Sequence, residues 1–361
     1  MKGLVLAGGA GSRLRPLTYT GAKQLVPVAN RPILYYVIDN LVDAGIREIA
    51  IVISPETGQE VRRVLGDGTA FGAELHYILQ DKPAGLAHAV KIARAFVGDS
   101  PFCMFLGDNL IGTKVRDAAH AFESDPSVAA AVMLKEVADP RSFGVAEVDE
   151  LGNVVRLVEK PKEPKTNLAL VGVYMFRPAI FDAIDQIVPS PRGELEITDA
   201  ISQLITTGHR VNCSRVSSWW LDTGKKDDLL LANATVLDAW LEHEVLGSVC
   251  PESSVSGRVR IEAGAEVVRS IIRGPAVIGR GARIVDAKIG PFTSLGDAVQ
   301  VERSGVSNSV LLEGARILDI PRLEDSLVGR RVVVAPGKVA PHGVSLLVGD
   351  DCRIEIAQRA T

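Results

Sequence analysis

The residues best suited to do chemistry stand near the start of the chain. Leu6-Ala7-Gly8-Gly9-Ala10-Gly11-Ser12-Arg13-Leu14-Arg15-Pro16-Leu17-Thr18 is followed by Lys23-Gln24-Leu25-Val26-Pro27-Val28. The apolar run Gly3 to Ala7 reads as a strand that ends in glycines. Gly8, Gly9 and Gly11 let the backbone approach a ligand closely with its N–H groups exposed. Arg13 supplies a planar fork of donors and Lys23 a point charge. After the first strand of a parallel sheet, such a loop sits at the carboxyl edge, where ligands bind. The set reads as a triphosphate cradle. It is not a Walker A loop, because Ser12-Arg13 follow Gly11 where Lys-Ser/Thr is needed. It is not the dinucleotide fingerprint either, because Leu14 stands where the last glycine or alanine belongs. The glycines alone would suit a tight turn with solvated basic residues. The company of Arg13, Pro16, Thr18, Lys23 and Pro27 weighs against that plainer reading.

Two carboxylates follow apolar runs: Asp108 in Phe105-Leu106-Gly107-Asp108-Asn109, and Asp222 in Trp219-Trp220-Leu221-Asp222-Thr223-Gly224. A lone Asp in such a place is most often a turn former or helix cap. Mg²⁺, which prefers one or two carboxylates plus phosphate oxygens and water, is the alternative use.

Strands and helices alternate over the first two-thirds of the chain and must position these groups. Glu48 to Ile53, Leu75 to Leu79, Pro101 to Leu106 and Val128 to Leu134 are apolar strands. Ile33 to Ala44, Gly85 to Phe96 and Val115 to Ser124 have helical spacing. This pattern predicts an α/β, Rossmann-like, mostly parallel sheet covered on both faces. Asp227 to Leu246 reads as one amphipathic helix closed by Gly247. Beyond it, aliphatic residues recur every six positions at Val255, Ile261 and Val267, at Ile278 and Ile284, and at Ile289, Leu295 and Val301. Gly279, Gly290 and Gly296 follow the aliphatics, and the frame breaks around Arg269 to Gly274 and after Val301. Six-residue periodicity predicts a left-handed β-helix of hexapeptide repeats, against the plainer reading of β-hairpins. The expected division is a catalytic domain over 1–246, including a connecting helix over 227–246, and a β-helix domain over 247–361.

Composition narrows the function. At 361 residues with 47% hydrophobic and 23% charged, the chain can fill a large core. Forty basic against 44 acidic residues leave a net charge of −4, and no Lys/Arg run appears, which disfavours nucleic-acid or membrane-surface partners. Cys103, Cys213, Cys250 and Cys352 are scattered, so neither a disulfide framework nor a zinc site is indicated. No stretch reads as a signal peptide or membrane span, and a cytoplasmic location is expected.

GGAGSRLRPLT followed by KQLVPV resembles the signature of the sugar-nucleotidyltransferases, which condense a nucleoside triphosphate with a sugar 1-phosphate and release pyrophosphate. KQLVPV…PILYY and Gln80-Asp81-Lys82-Pro83-Ala84-Gly85-Leu86-Ala87-His88-Ala89 resemble the thymidylyltransferase branch of that family, and the tail resembles its long form. The resemblance covers roughly residues 1 to 240. It implies dTTP, with UTP as the alternative, and glucose 1-phosphate as substrates, and Mg²⁺ shared by Asp108 and Asp222. It implies that Arg13 stabilises the leaving pyrophosphate and Lys23 the α-phosphate region. It places Gln80, the Gly85 backbone, Leu6 and Gly8 at the base, beside the phosphate loop of Gly9 and Gly11. His88 departs from the glutamine expected in that helix. Ser142-Phe143-Gly144-Val145, Val158-Glu159-Lys160-Pro161 and Val171-Gly172-Val173-Tyr174 resemble the sugar pocket. There the Gly144 backbone and Glu159 hold hydroxyls, Lys160 meets the sugar's phosphate, and Val171 and Gly172 line the other side. Glu159-Lys160 taken alone would be a surface ion pair. Glu196 matches a segment near the sugar and equally reads as a helix-start carboxylate.

Two other readings compete. An additional acetyl transfer by the tail needs a histidine base, and the tail offers only His342. A non-catalytic regulatory subunit tends to lose the catalytic set, whereas Arg13, Lys23, Asp108 and Asp222 are all present. Since the motifs lie before Gly224, the tail is expected to serve assembly into a homo-oligomer.

Overall fold

The computed structural model describes residues 1–9, 11–336 and 351–354; His342 lies outside them. The chain forms two compact units. One gathers the N-terminal strand with Ala22–Leu25 and Ile33–Asp222, and the other gathers Gly11–Gly21, Val26–Pro32 and the chain from Thr223 on.

The first unit is built on a sheet with nine strands among the described residues. Four of them, β1 (Lys2–Leu6), β2 (Glu48–Ile53), β3 (Glu74–Leu79) and β4 (Phe102–Leu106), run parallel in the order β4-β1-β2-β3. Their residues alternate between two cores, as a pleated strand requires. Leu4, Ala50, Val52, Phe102 and Met104 face one core, and Val5, Ile49, Ile51, Cys103 and Phe105 face the other. Helices cover both faces, so these strands read as continuous apolar runs rather than alternating ones. Burying a side chain such as Phe102 or Phe105 stabilises the fold by about 1.5–3 kcal/mol.

An antiparallel half joins this parallel half along β4. There β9 (Leu168–Phe176) runs opposite to β4 and to β6 (Val128–Glu136), and the hairpin of β7 (Gly144–Val148) and β8 (Val154–Glu159) extends the sheet. A short turn joins β7 to β8, leaving no room for the helical crossover that a parallel pair needs. β10 (Arg210–Arg215) closes the far edge parallel to β6. A separate two-stranded ribbon pairs β5 (Asn109–Ile111) with β11 (Trp220–Asp222). Helices α1 (Ile33–Asp43), α2 (Leu86–Ile92) and α3 (Ile197–Thr206) belong to this unit.

The second unit holds α4 (Lys226–Trp240) and three parallel ladders that fit a left-handed β-helix. The helix stops at Trp240 rather than running to Leu246, because Glu244-Val245 is taken into the first coil opposite Arg260-Ile261. The coils also explain the broken six-residue frame. Arg260 pairs with Val277 and Val277 with Ser294, a step of 17 rather than 18. The missing residue falls at one corner, between inward Val267 and Ile272, Ile284 and Ile289, and Val301 and Val306. That corner turns on residues with positive φ, Arg269 (45°), Asp286 (50°), Arg303 (47°) and Asp319 (56°). Their charges alternate up the stack, and the Arg269 guanidinium donates to both Asp286 oxygens at 2.7 Å. No helix among the described residues is long and apolar enough to cross a membrane.

Candidate active site

The adjacent parallel strands β1 and β4 end side by side. Leu6 stands in register with Leu106, and the Gly107 N–H donates to the Leu6 carbonyl at 2.9 Å. Gly8 and Gly9 therefore leave the sheet next to Asp108. A 3₁₀ turn, Lys23–Leu25, brings in the buried Lys23, whose Nζ lies 2.5 Å from Asp108 Oδ2 and 3.8 Å from Asp222 Oδ1. The ribbon accounts for the meeting of the two aspartates, because its register sets Asp222 opposite Asn109, the residue that follows Asp108. Asn109 is itself buried. Its Nδ2 donates to Asp108 Oδ1 at 2.9 Å, while its Oδ1 accepts from Trp220 Nε1 at 2.6 Å. Each oxygen of Asp108 thus has a partner of its own. Gln24 is also buried, and its amide oxygen has no hydrogen-bond partner among the described residues.

At the end of β3, the Gln80 N–H donates to the Ile53 carbonyl at 2.9 Å. The Gln80 side chain points its Nε2 at the Gly85 carbonyl (3.3 Å) and at His88 Nδ1 (3.1 Å), with Oε1 turned toward Gly8. This orientation follows from the acceptor at Gly85, which demands an N–H donor. His88, the departure from the expected glutamine, therefore holds the Gln80 amide. Gly85 has φ 102°, and a Cβ there would collide with the Leu195 backbone, so only glycine opens this turn into α2.

The sugar-pocket candidates form a second cluster. Glu159 stands opposite Gly144 across the β7–β8 ladder and accepts from Thr198 Oγ1 at 3.4 Å. Lys160 Nζ lies 3.4 Å from Glu159, so the ion pair read from the sequence is present. Arg192 reaches three carboxylates, Glu196 at 2.8 Å, Glu159 at 3.4 Å and Glu194 at 3.5 Å. Glu196 is buried and also accepts from Ser190 Oγ at 2.8 Å. Burial, and then the Glu159 carboxylate, push the Tyr174 phenol upward from its ordinary value. Val171 is fully buried, its backbone as well as its side chain. Gly172 touches the Asn109 amide and so links this cluster to Asp108.

Arg13 and Gly11 belong to the second unit, where the Arg13 guanidinium lies against Gly224. Asn109, Trp220 and Arg192 carry no assigned role in the sequence alone. The only signal for the first two was their place beside Asp108 and Asp222, and for Arg192 its place in the segment before Glu196.

A sheet whose glycine turn, lysine and paired carboxylates gather at the ends of adjacent parallel strands defines a nucleotide-handling α/β class. The profile of the Nucleotidyl transferase family matches residues 2–239, and the chain belongs to that family. It is 48% identical over 357 residues to a glucose-1-phosphate thymidylyltransferase of Streptomyces griseus, covering 99% of this chain and 100% of the relative. It is 47% identical over 356 residues to another of that name from Streptomyces antibioticus, covering 99% of each. Among solved structures, a Bacillus anthracis protein assigned as a glucose-1-phosphate thymidylyltransferase, in complex with sucrose, is 37% identical. It superposes with a TM-score of 0.62 over 65% of this chain and 94% of its own.

Proposed function

We propose that the protein transfers the nucleotidyl group of dTTP to glucose 1-phosphate, giving dTDP-glucose and pyrophosphate. The observation that carries this reading is the convergence of Lys23, Asp108 and Asp222 beside the glycine turn after β1. The names of the full-length relatives support the choice of substrates. A phosphate oxygen of glucose 1-phosphate attacks the α-phosphorus of dTTP in line. A new P–O bond forms as the bond from the α-phosphorus to its bridging oxygen breaks, and pyrophosphate leaves with that electron pair. The attacking monoester is already anionic near neutral pH, so neither a covalent nucleophile nor a strong base is needed. Catalysis is positioning and charge neutralisation.

In this reading Lys23 neutralises charge at the α-phosphate and Arg13 at the leaving pyrophosphate, with Gly8, Gly9 and Gly11 cradling phosphates. Gln80 and the Gly85 backbone hold the base edge beside Leu6. The Gly144 backbone and Glu159 hold sugar hydroxyls, Lys160 meets the sugar's phosphate, and Val171 and Gly172 line the other side of the ring. The donor set of two partly exposed carboxylates suits a hard cation that completes its shell with phosphate and water oxygens. Asp108 and Asp222 would hold Mg²⁺, which when bound supplies neutralisation of phosphate charge. The reading assigns the chemistry to residues 1–246 and homo-oligomer assembly to 247–361. Exposed Val245 and Leu246 at the first coil and Val332 and Val333 at the last described coil support that assembly role.

The test is pyrophosphate release from dTTP with glucose 1-phosphate and Mg²⁺, run beside UTP and beside acetyl-CoA with sugar acceptors. Equal amounts of dTDP-glucose and pyrophosphate are expected, with no acetylated product. A protein that releases no pyrophosphate from either triphosphate refutes the reading.

A further inference from the structure

We propose that the β-helix is part of the phosphate-handling apparatus, because it seats the glycine-rich loop that carries Arg13. This inference rests on the reading of that loop as a triphosphate cradle. Gly11–Gly21 contains only two 3₁₀ turns, Ser12–Leu14 and Leu17–Tyr19. Its internal ties are few, chiefly the Leu14 N–H and the Thr18 hydroxyl donating to the Gly11 carbonyl at 2.9 and 2.7 Å. A loop with so little regular structure does not hold a long cationic side chain in place by itself. The packing that steadies it comes from the C-terminal part of its own unit.

Three anchors can be traced. Leu17 packs on an apolar cluster of Leu230 from α4 with Val310, Leu312 and Leu327 from the β-helix coils. It also closes on Gly329, where an added Cβ would lie 3.3 Å from Leu17 Cδ2. The Arg13 guanidinium rests on Gly224, just before α4, so closely that a Cβ there would lie 3.1 Å from Nη2. α4 is in turn fastened to the coils. The buried Asn233 accepts from Ser294 Oγ at 2.6 Å and donates to the Phe292 carbonyl at 3.0 Å, and Lys226 Nζ donates to the Asp325 carbonyl at 3.1 Å. The returning hairpin is held likewise. The Ala29 N–H donates to Asn233 Oδ1 at 2.9 Å, and Asn30 Nδ2 donates to the Leu295 carbonyl at 2.5 Å. The loop, its return and the floor under Arg13 therefore all lean on the β-helix. Leu17, Leu312 and Asn233 are positioning residues that act through Arg13.

The experiment is a double-mutant cycle in the full-length chain, combining Leu312→Ala with Arg13→Ala. Circular dichroism and thermal unfolding monitor the fold, and kcat is read at saturating dTTP and glucose 1-phosphate. Misplacement of the cation by about 1 Å should lower kcat in Leu312→Ala by on the order of 10-fold or more. Leu312→Met, which keeps the volume, should restore it to within about two-fold. In the Arg13→Ala background, Leu312→Ala should cost less than about two-fold more, because the group it positions is gone. Leu327→Ala, at a half-buried place in the same cluster, is read the same way if Leu312→Ala does not fold. Folded variants with wild-type kcat overturn the proposal, as do fully multiplicative effects of the two substitutions. Undiminished turnover in Arg13→Ala alone overturns the cradle reading itself, and the anchoring proposal with it.

Discussion

Gly172→Ala tests how Asp108 is held. Gly172 has φ 23°, and it lies where the β9–β6 register shifts between Leu170 and Tyr174. A Cβ there would sit 2.8 Å from both Cγ and Oδ1 of Asn109 and 3.1 Å from Leu106 Cδ1. Ordinary carbon contacts are about 3.5–4.0 Å, so the amide must recede by roughly 0.7 Å or more. It cannot do so and keep both the 2.6 Å bond from Trp220 and the 2.9 Å bond to Asp108. A buried polar group left without its partner costs about 1–3 kcal/mol. Left-handed backbone on a residue with a Cβ adds about 1–2 kcal/mol. The sum, about 2–5 kcal/mol, corresponds to a fall of roughly 5–10 °C in Tm. Displacing the Asp108 carboxylate should also lower kcat by on the order of 10²-fold. Thermal unfolding and steady-state turnover at saturating substrates give both readings. Adding Asn109→Ser should remove the collision but keep the backbone strain and leave the Trp220 N–H without its acceptor, so Tm should recover only in part and kcat not at all. If Gly172→Ala melts within about 2 °C of wild type and keeps its kcat, Asn109 does not orient Asp108.

Lys23→Ala leaves Asp108 and Asp222 without the ammonium between them. It should lower kcat by on the order of 10²-fold at saturating dTTP, and a change confined to KM would contradict the placement at the α-phosphate. Gln80→Ala removes a base contact made equally in ground and transition states. It should raise KM for dTTP more than it lowers kcat, and should blur the choice among dTTP, UTP and dCTP in competition assays. Burial pushes the Cys103 thiol from 9.0 up to about 12. Its neutral form is favoured by folding, so its contribution to stability is complete below pH 9 and lost as pH rises toward 12. Maleimide at pH 8, followed by peptide mass spectrometry, should label exposed Cys352 and spare Cys103 until the protein is unfolded.

Much of the catalytic unit was legible in the chain because its signals are local. A buried parallel strand is a short apolar run whatever its neighbours are, and glycines announce a turn wherever they fall. Glu48 to Ile53 was read with the bounds it has in the fold, and Leu75 to Leu79 and Pro101 to Leu106 each shift by one residue at the start. The six-residue aliphatic spacing likewise foretold the β-helix. Even its broken frame carried information, since the breaks mark the corner at which a coil is one residue short.

The remaining features depend on residues far apart in the chain. Trp220 reaches Asn109 across 111 positions because β5 and β11 pair. Arg192 gathers Glu159, 33 positions away, because the β7–β8 hairpin and the approach to α3 meet. No window of sequence contains either pairing, and either residue alone is an ordinary polar side chain. The end of α4 was decided in the same way. Its helical spacing continues past Trp240, but a parallel ladder with Arg260-Ile261 offers Glu244-Val245 backbone partners that a lone helix end lacks. The largest such effect is the company kept by Gly11–Gly21. In sequence the loop is an interruption between the first strand and Lys23. In the folded chain its Leu17 finds apolar cover on coils some three hundred residues later, since burial rewards proximity in space and is indifferent to distance along the chain.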